Sequence, residues 1–443
     1  MTITKLSLLV LALLSTASAA GAADLLETYH AAQSQDAVFA VARATQRAVQ
    51  EKLAQGRSLL LPSVNLSANS TLNDNTIQYR GTSPFLPSGT NRYNSSGYGV
   101  NLVQPLFRQQ NWLVYTEAQL QVAQSVAQLK GAEQDLILRV AQAYFDILMA
   151  QDSVQLAGAQ KTAISEQLEQ ARRNFEVGAS TITDTHEAQA RHDLVSAQEI
   201  AAQSNLEIKK RTLQQLTNAM PGNLRQLDPE FKPEMLQPAE MEKWVDEAQQ
   251  HNMQLAVAQA AFELAEKEVA RNRAGHYPTL DLVANYSENY SDGGNMGLGS
   301  DSRATAIGVQ LNVPLFQGGA IQSRLREAEA NRDRAKEELE NVRRNVALQS
   351  RQAYLGVVNG IAQVRALQQA LKSSESVLEA SKLGHEVGVR TNLDVLNAQQ
   401  QLYSTRRDLY QAEYNYLISQ LRLKASAGTL TEDDLTKVNQ ALH

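Results

Sequence analysis

The chain contains no cysteine, and aromatic residues make up only 5 % of its 443 residues. Without cysteine there can be no disulfide framework and no lipid-bearing N-terminal cysteine. The low aromatic content, with abundant Ala, Gln, Leu and Glu, favours long helices and coiled coils over one thick globular core. The formal net charge of −6 argues against a nucleic-acid partner, because such proteins usually present a basic surface.

Apolar runs of transmembrane-helix length are also missing beyond residue 23. Residues 1–23 have the pattern of a secretory signal peptide, with Lys5 before an apolar core at Leu8–Leu14 and small residues at a cleavage zone. A short anchor helix is the alternative, although the apolar run is short for a bilayer span. Any membrane insertion of the remaining chain must therefore use strands or oligomerisation, not a transmembrane helix.

Sequence motifs for catalysis and metal binding are missing as well. The seven histidines form no His-Glu-x-x-His or Cys/His zinc pattern. No P-loop, nucleophile elbow or dinucleotide-binding glycine motif stands at a strand-to-helix turn. We therefore predict no catalytic residue, no cofactor site, no metal site and no enzymatic activity.

The chain does contain an internal repeat. The Phe-Glu-Val-Gly segment at 175–178 recurs as His-Glu-Val-Gly at 385–388, about 210 residues later. Pro-Leu-Phe at 105–107 recurs at 314–316 in the same order. Two copies of one unit predict a pseudo-symmetric body, with the first repeat at 24–218 and the second at 241–427.

Each repeat begins with a helix that ends before a proline, Pro62 or Pro278. Alternating apolar and polar residues then predict two strands per repeat, joined by Gly/Ser/Asn-rich segments at roughly 71–95 and 287–304. The predicted strands are 62–72, 96–107, 278–287 and 304–316. Strands of this length with one apolar face suit an outer-membrane barrel, and a small soluble antiparallel sheet is the alternative.

Heptad seams follow the strands. Leu136 to Phe175 and Val346 to His385 repeat apolar or small residues at coiled-coil spacing. They predict long helices at 108–177 and 317–387, each of roughly 100 Å if unbroken. Helices of that length need partner helices, either within the chain or in other copies of it.

Both long helices end at a shared signal, and a helix returns from it. Gly178 and Gly388 suit the left-handed position that terminates a helix. The Thr-x-x-Asp motifs that end at Asp184 and Asp394 then predict capped helices at 181–218 and 391–427. Two antiparallel helical hairpins result. A proline-rich connector at 219–240 and an irregular C-terminal segment at 428–443 complete the chain.

Four strands per chain cannot close a membrane barrel, and open sheet edges are not tolerated in lipid. A membrane barrel must therefore be shared between subunits. Eight strands from a dimer and twelve from a trimer are both compatible with this reasoning.

The sequence resembles the outer-membrane efflux family. The resemblance rests on the Val-Gly tips with their aspartates, on the Pro-Leu-Phe strand ends, and on the C-terminal segments 414–418 and 427–430. It implies a fold that is mainly α with membrane β: a homotrimeric 12-stranded outer-membrane β-barrel continuous with a periplasmic helical barrel. The connector and the C-terminal segment would form its equatorial region.

The resemblance also implies a function and partners. The channel would export drugs or secreted proteins, as in type I secretion, from the periplasmic side to the exterior. It would lie in the outer membrane and extend into the periplasm. Its partners would be outer-membrane lipid, a periplasmic adaptor and an inner-membrane transporter. A periplasmic coiled-coil adaptor or scaffold without a channel remains the alternative, and the cargo is left open.

The resemblance places a periplasmic gate at the hairpin tips. Thr183, Asp184 and Arg390 fall where family members link neighbouring hairpins, and Asp394 falls on an acidic ring. The adaptor-docking tips would be Val177, Gly178, Val387 and Gly388.

Two positions of the gate depart from the founding member of the family. His385 replaces a tyrosine, and Asn397 replaces a second ring aspartate, so we expect a weaker cation preference. Structural roles compete with gating: capping for Asp184 and Asp394, solvation for Arg390, and packing for His385. A pH-dependent link from His385 to Asp184 is a further hypothesis.

Overall fold

The structure, a computed structural model, describes residues 24–80, 88–294 and 298–443. The predicted signal peptide at 1–23 lies outside these residues. The chain forms two compact units, and each draws on both repeats. The helical unit comprises the described residues through Arg43 with Gln128–Leu255 and Val342–His443, and the sheet unit comprises Ala44–Ala127 and Ala256–Asn341.

The α-helices of the described residues are α1 (Leu25–Gln35), α2 (Ala37–Ser58), α3 (Gln109–Glu176), α4 (Ile182–Thr217), α5 (Met241–His251), α6 (Met253–Arg273), α7 (Ala320–Glu386), α8 (Asn392–Ser426) and α9 (Glu432–Asn439). The strands are β1 (Ser63–Ile77), β2 (Gly89–Phe107), β3 (Thr279–Ser291) and β4 (Ser300–Asn312). No helix in the described part of the chain is long and apolar enough to cross a membrane.

The helical unit has a core built largely from the heptad seams. Leu136, Val140 and Ile147 of α3 are fully buried, and Val357 and Val364 of α7 belong to the same core. Burial of these residues confirms the predicted seam over this stretch. Phe175, at the end of the α3 seam, is instead exposed, because the helix ends one residue later.

The helix predicted at the start of each repeat is two helices, and this corrects the sequence analysis. α1 is followed by the cap residue Asp36 and α5 by the cap residue Asn252, which are equivalent positions in the two repeats. The Asp36 carboxylate accepts the backbone N–H groups of the next helix at 2.6 and 3.2 Å. The Asn252 amide oxygen does the same at 2.9 and 3.2 Å. A short polar side chain thus competes with the continuous helix and starts a new one.

The four strands of the sheet unit form one antiparallel sheet in the order β1-β2-β3-β4. The strands are longer than predicted, since pairing continues to Ile77 with Gly89 and to Ser291 with Ser300. Polar segments assigned to the joining loops therefore belong to the ladders. Cross-strand bonds between polar side chains support them, such as Asn73 to Ser95 at 2.8 Å.

The last predicted strand also ends too late. β4 stops at Asn312, so the Pro314-Leu315-Phe316 segment lies beyond the sheet. β4 ends where its partner begins, because Thr279, the first residue of β3, pairs with Asn312.

The C-terminal segment is more ordered than predicted. It contains α9, and an isolated bridge joins Leu442 to Leu227 of the connector. Thr431 and Asp434 cap α9 with the same Thr-x-x-Asp spacing that marks the hairpin tips. That motif is the sequence signal for this helix.

Candidate functional site

The two hairpin tips of the helical unit have the same backbone geometry. Gly178 and Gly388 adopt φ values of +73° and +76°, as predicted. After Gly178, the N–H of Ala179 donates to the Asn174 carbonyl at 2.7 Å. After Gly388, the N–H of Val389 donates to the Gly384 carbonyl at 2.8 Å. These bonds satisfy carbonyl groups that a helix end would otherwise leave unpaired.

Reciprocal caps start both returning helices. The Asp184 carboxylate accepts the backbone N–H of Thr181 at 3.0 Å, and the Thr181 hydroxyl accepts the N–H of Asp184 at 3.3 Å. Thr391 and Asp394 form the equivalent pair at 2.9 and 3.2 Å. Both predicted capping motifs are therefore present, and each aspartate has a structural role at its helix start.

Apolar side chains are exposed at both tips. Val177 is 78 % exposed, Val387 is 65 % exposed and Val389 is 78 % exposed. They adjoin the two positive-φ glycines, so the backbone fixes where they project. Conspicuously exposed valines at a fixed turn are suited to contact another protein.

Arg390 lies against its own hairpin. Its guanidinium is 3.9 Å from the Asp394 carboxylate, and its side chain is 60 % exposed. A Cβ on Gly384 would lie 2.7 Å from the Arg390 side chain, so the arginine stem covers that glycine. Hydrogen bonds from the backbone N–H and the hydroxyl of Thr391 hold the pKa of Asp394 below its usual range. The positive charge of Arg390 contributes a smaller effect in the same direction.

The remaining predicted site residues lie on three different helices. Thr183 is exposed in the first turn of α4. His385 is half-buried in the last turn of α7, and its carbonyl accepts the Gly388 N–H at 3.0 Å. The ion pairs described for this single chain include none between His385 and Asp184. Asn397 is exposed on α8, where it contacts the other hairpin.

Arg191 of α4 is a tip-proximal residue that the sequence analysis did not identify. Its guanidinium donates to the Asn397 side-chain oxygen at 3.0 Å and also to Gln400 of α8. Near these bonds, Ile164, Val195 and Leu396 form a small buried cluster that joins α3, α4 and α8. Sequence spacing identified each hairpin but carried no signal for which faces of α4 and α8 meet.

The sheet unit presents a second candidate surface. Apolar side chains such as Leu66, Ile307 and Val309 are exposed on one face of the sheet. The opposite face is polar, with residues such as Asn65, Asn101 and Asn285. This division is typical of a barrel strand with one face in lipid and one in a water-filled lumen.

A tyrosine cluster lies on the apolar face of the sheet, around Glu288 towards the end of β3 and Arg303 near the start of β4. Tyr98, Tyr286 and Tyr290 all donate to the buried carboxylate of Glu288, at 2.5 to 2.7 Å. Arg303 of β4 pairs with the same carboxylate at 2.8 Å. Aromatic side chains with polar tips are enriched where a barrel meets the membrane–water interface, which suits this position.

Both edges of the sheet lack partners. In the ladders described for this chain, β1 pairs only with β2, and β4 pairs only with β3. Within the described residues, no group of three or more His, Cys, Asp or Glu side chains could hold a metal ion.

Comparison with known proteins decides the family. The family model described as outer membrane efflux protein matches residues 28–219 and 244–429. The chain belongs to the outer membrane efflux protein family.

Relatives of this efflux family protein cover nearly the whole chain. Outer membrane protein TolC of Vibrio cholerae serotype O1 is 36 % identical over 441 residues, which are 99 % of this chain and 98 % of that protein. Alkaline protease secretion protein AprF of Pseudomonas aeruginosa is 34 % identical over 417 residues, 94 % of this chain and 86 % of that protein. The predicted resemblance is confirmed.

A solved structure supports the fold. The outer membrane protein VceC of Vibrio cholerae aligns with a TM-score of 0.77 at 20 % identity, covering 91 % of this chain and 96 % of that one. The predicted fold class, mainly α with a four-stranded membrane sheet per chain, is confirmed, and the sheet is consistent with a trimeric barrel.

Family membership also establishes the general function. The protein is an outer-membrane efflux channel, located in the outer membrane and extending into the periplasm. A transport channel of this family is not an enzyme. The alternative of a periplasmic adaptor or scaffold is therefore set aside.

Proposed function

We propose that three copies of this chain form the export channel, each contributing four strands to one 12-stranded barrel. The observation that carries this proposal is the pair of unpaired edges, β1 and β4, on a sheet with an exposed apolar face. Unpaired backbone groups are costly in lipid, so β4 of one copy would pair with β1 of the next.

In this proposal each repeat forms one structural unit of the channel wall. The two units are residues 24–218 and 241–427. The connector 219–240 and the C-terminal segment 428–443 belong to the equatorial region. Equivalent helix breaks at Asp36 and Asn252, and equivalent caps at Thr181 and Thr391, support this division. Three chains then give six similar units around the channel.

A simple fractionation tests the assembly. We expect the protein in the outer-membrane fraction as a species of three chains that dissociates on heating in detergent. Cross-linking after mild solubilisation would count the chains. A monomer in the soluble periplasmic fraction would contradict the proposal.

The hairpin tips would dock a periplasmic adaptor, which connects the channel to an inner-membrane transporter. The exposed Val177, Val387 and Val389 support this role, because they offer apolar contact area on a rigid turn. Gly178 and Gly388 would keep the turns tight enough for a helical hairpin of the adaptor to approach.

The tips would also gate the pore and set its ion preference. Thr183, Asp184, His385, Arg390, Asp394 and Asn397 are the proposed gate residues. Asp394 is the proposed ring charge, since its pKa is lowered and its carboxylate stays ionised at neutral pH.

Replacing Asp394 with asparagine tests the selectivity role. Asparagine can still accept the Thr391 N–H, so Asp394→Asn removes three charges from the trimer while keeping the cap. We expect the cation-to-anion permeability ratio to fall roughly threefold, because a ring of like charges concentrates counter-ions at the mouth of a pore. Reversal potentials in planar lipid bilayers with a KCl gradient measure this ratio.

Asp184→Asn provides the matched comparison, because it removes the carboxylate of the equivalent cap at the first tip, which is not the proposed ring position. We expect a smaller change in selectivity for this variant. An unchanged reversal potential for Asp394→Asn would refute the assignment of Asp394 to an acidic ring.

A further inference from the structure

The two hairpins of one chain are joined by a polar contact near the tips. Arg191 of α4 donates to Asn397 at 3.0 Å and to Gln400, and both acceptors lie on α8. Residues three apart on a helix share a face, so one guanidinium spans almost one turn of α8. A planar guanidinium is suited to such a two-armed contact.

The charged groups of the tips themselves do not join the hairpins of this chain. Asp184 bonds to Thr181 of its own hairpin, and Arg390 pairs with Asp394 of its own hairpin. The Tyr414 hydroxyl donates to Asp152 at 2.6 Å and joins the hairpins farther along the helices. Between that bond and the tips, the described side-chain hydrogen bonds that cross from one hairpin to the other are those of Arg191.

The charge of Arg191 is not neutralised by its partners. Both acceptors are neutral amides, and the ion pairs of the described residues include none for Arg191. The two bonds are solvent-exposed, and they lie beside the buried Val195 and Leu396. Removing the guanidinium removes both bonds to α8, and hydrogen bonds from a charged donor are stronger than those between neutral groups.

We infer that Arg191 is a positioning residue of the closed gate, holding α4 against Asn397 and Gln400 of α8, and that its charge counters the Asp394 ring. The inference rests on the proposed function of the tips as a gate. According to this inference, opening is controlled by the tip residues and also by a contact between the two hairpins of one chain, which lies away from the turns. It also gives Asn397 a role as an acceptor.

Single-channel recording of the assembled trimer tests both parts of the inference. Arg191→Gln removes the charge and the two-armed donor. We expect its open probability to rise about fivefold or more, because a charge-assisted hydrogen bond is lost in each of three chains. We also expect its cation preference to increase, since three positive charges disappear.

Two companion variants separate the bond from the charge. Arg191→Lys keeps the charge but cannot bridge both acceptors, so open probability should rise while the reversal potential stays unchanged. Arg211→Gln is the control on the same helix, because Arg211 bonds to Glu207 and Gln214 of α4 itself. It removes the same charge and should leave gating unchanged.

Asn397→Asp tests the contact from the other side. It gives Arg191 an ionised partner, so we expect open probability below that of the wild type at low salt. Raising the ionic strength should reduce the difference, because ion pairs that are partly exposed are screened by salt. The same substitution in an Arg191→Gln background should lose this salt-dependent closure.

The outcomes are distinguishable. Arg390→Ala should raise the open probability if the tips form a gate. If Arg390→Ala opens the channel while Arg191→Gln and Arg191→Lys gate like the wild type, the inference is overturned and the tip gate survives. If none of these variants changes gating, the proposed gate itself fails. A normal heat-labile trimer for Arg191→Lys excludes misfolding as the cause of opening.

Discussion

Replacing Gly428 with alanine is expected to destabilise the helical unit by about 3 kcal/mol or more. Gly428 follows the end of α8 with a φ of +77°, a backbone conformation that L residues rarely adopt. The N–H of Thr429 donates to the Lys424 carbonyl at 3.0 Å across this turn. The glycine therefore terminates α8.

Space is the second constraint on Gly428. An alanine Cβ would lie 2.1 Å from the His251 carbonyl oxygen and 2.8 Å from the Asn252 Cα. Both neighbours are backbone atoms at the break between α5 and α6, and the Asn252 amide donates to the Ser426 carbonyl at 2.9 Å. Neither can move without breaking the helix ends, so the clash cannot be relieved locally.

Gly388→Ala is the matched control. Gly388 has almost the same φ of +76°, but a Cβ there would meet no atom within 4 Å. The control therefore measures conformational strain alone, which costs about 1 kcal/mol. Thermal unfolding and protease resistance of the purified channel compare the two variants. Equal stability of Gly428→Ala and Gly388→Ala would contradict the steric argument.

Glu413→Gln is expected to stabilise the protein at alkaline pH and to have little effect at pH 4. Glu413 of α8 is only 7 % exposed, and burial raises its pKa from 4.5 to about 7. Gln368 of α7 stabilises the carboxylate by a hydrogen bond, whereas the nearby Asp152 opposes its ionisation. Burial also raises the pKa of Asp152 of α3, whose carboxylate accepts the hydroxyl of Tyr414 of α8.

The direction of the pH dependence follows from the raised pKa. The folded protein binds the Glu413 proton more tightly than the unfolded chain does, so the burial penalty is absent below about pH 4.5. It grows as the pH rises and is complete above about pH 7. A pKa shift of this size corresponds to a loss of about 3 kcal/mol in the free energy of unfolding per chain at pH 8.

Glutamine removes this penalty because it remains neutral at every pH and keeps the hydrogen-bonding shape. Thermal unfolding midpoints from pH 4 to pH 9 would measure the difference between Glu413→Gln and the wild type. Asp408→Asn is the control on the same helix, since Asp408 is half exposed beside Arg407. A stability difference that is independent of pH would refute the titration of Glu413.

Local chemistry explains the parts of the fold that the sequence predicted well. The left-handed positions at Gly178 and Gly388 and the caps at Thr181 and Thr391 each depend on residues only a few positions apart. The strand alternation likewise requires only neighbouring residues. Such features can be predicted because the interactions that create them are local.

Other features depend on competition or on tertiary contact. Asp36 and Asn252 stand within helical patterns, and only the geometry shows that each side chain caps a new helix. The polar ends of the strands have loop composition, yet the ladder continues through them. The bond from Arg191 to Asn397 requires knowledge of which helix faces meet, and no local pattern encodes that.

The two free strand edges have a consequence for biogenesis. β1 and β4 are different surfaces, so each junction in the proposed ring is head-to-tail, and nothing in one junction limits the number of subunits. Closure after three copies must come from sheet curvature and helix packing. Until the last junction forms, every assembly intermediate has an unpaired strand edge at each end. A newly secreted chain must therefore be protected from pairing with other unfolded strands.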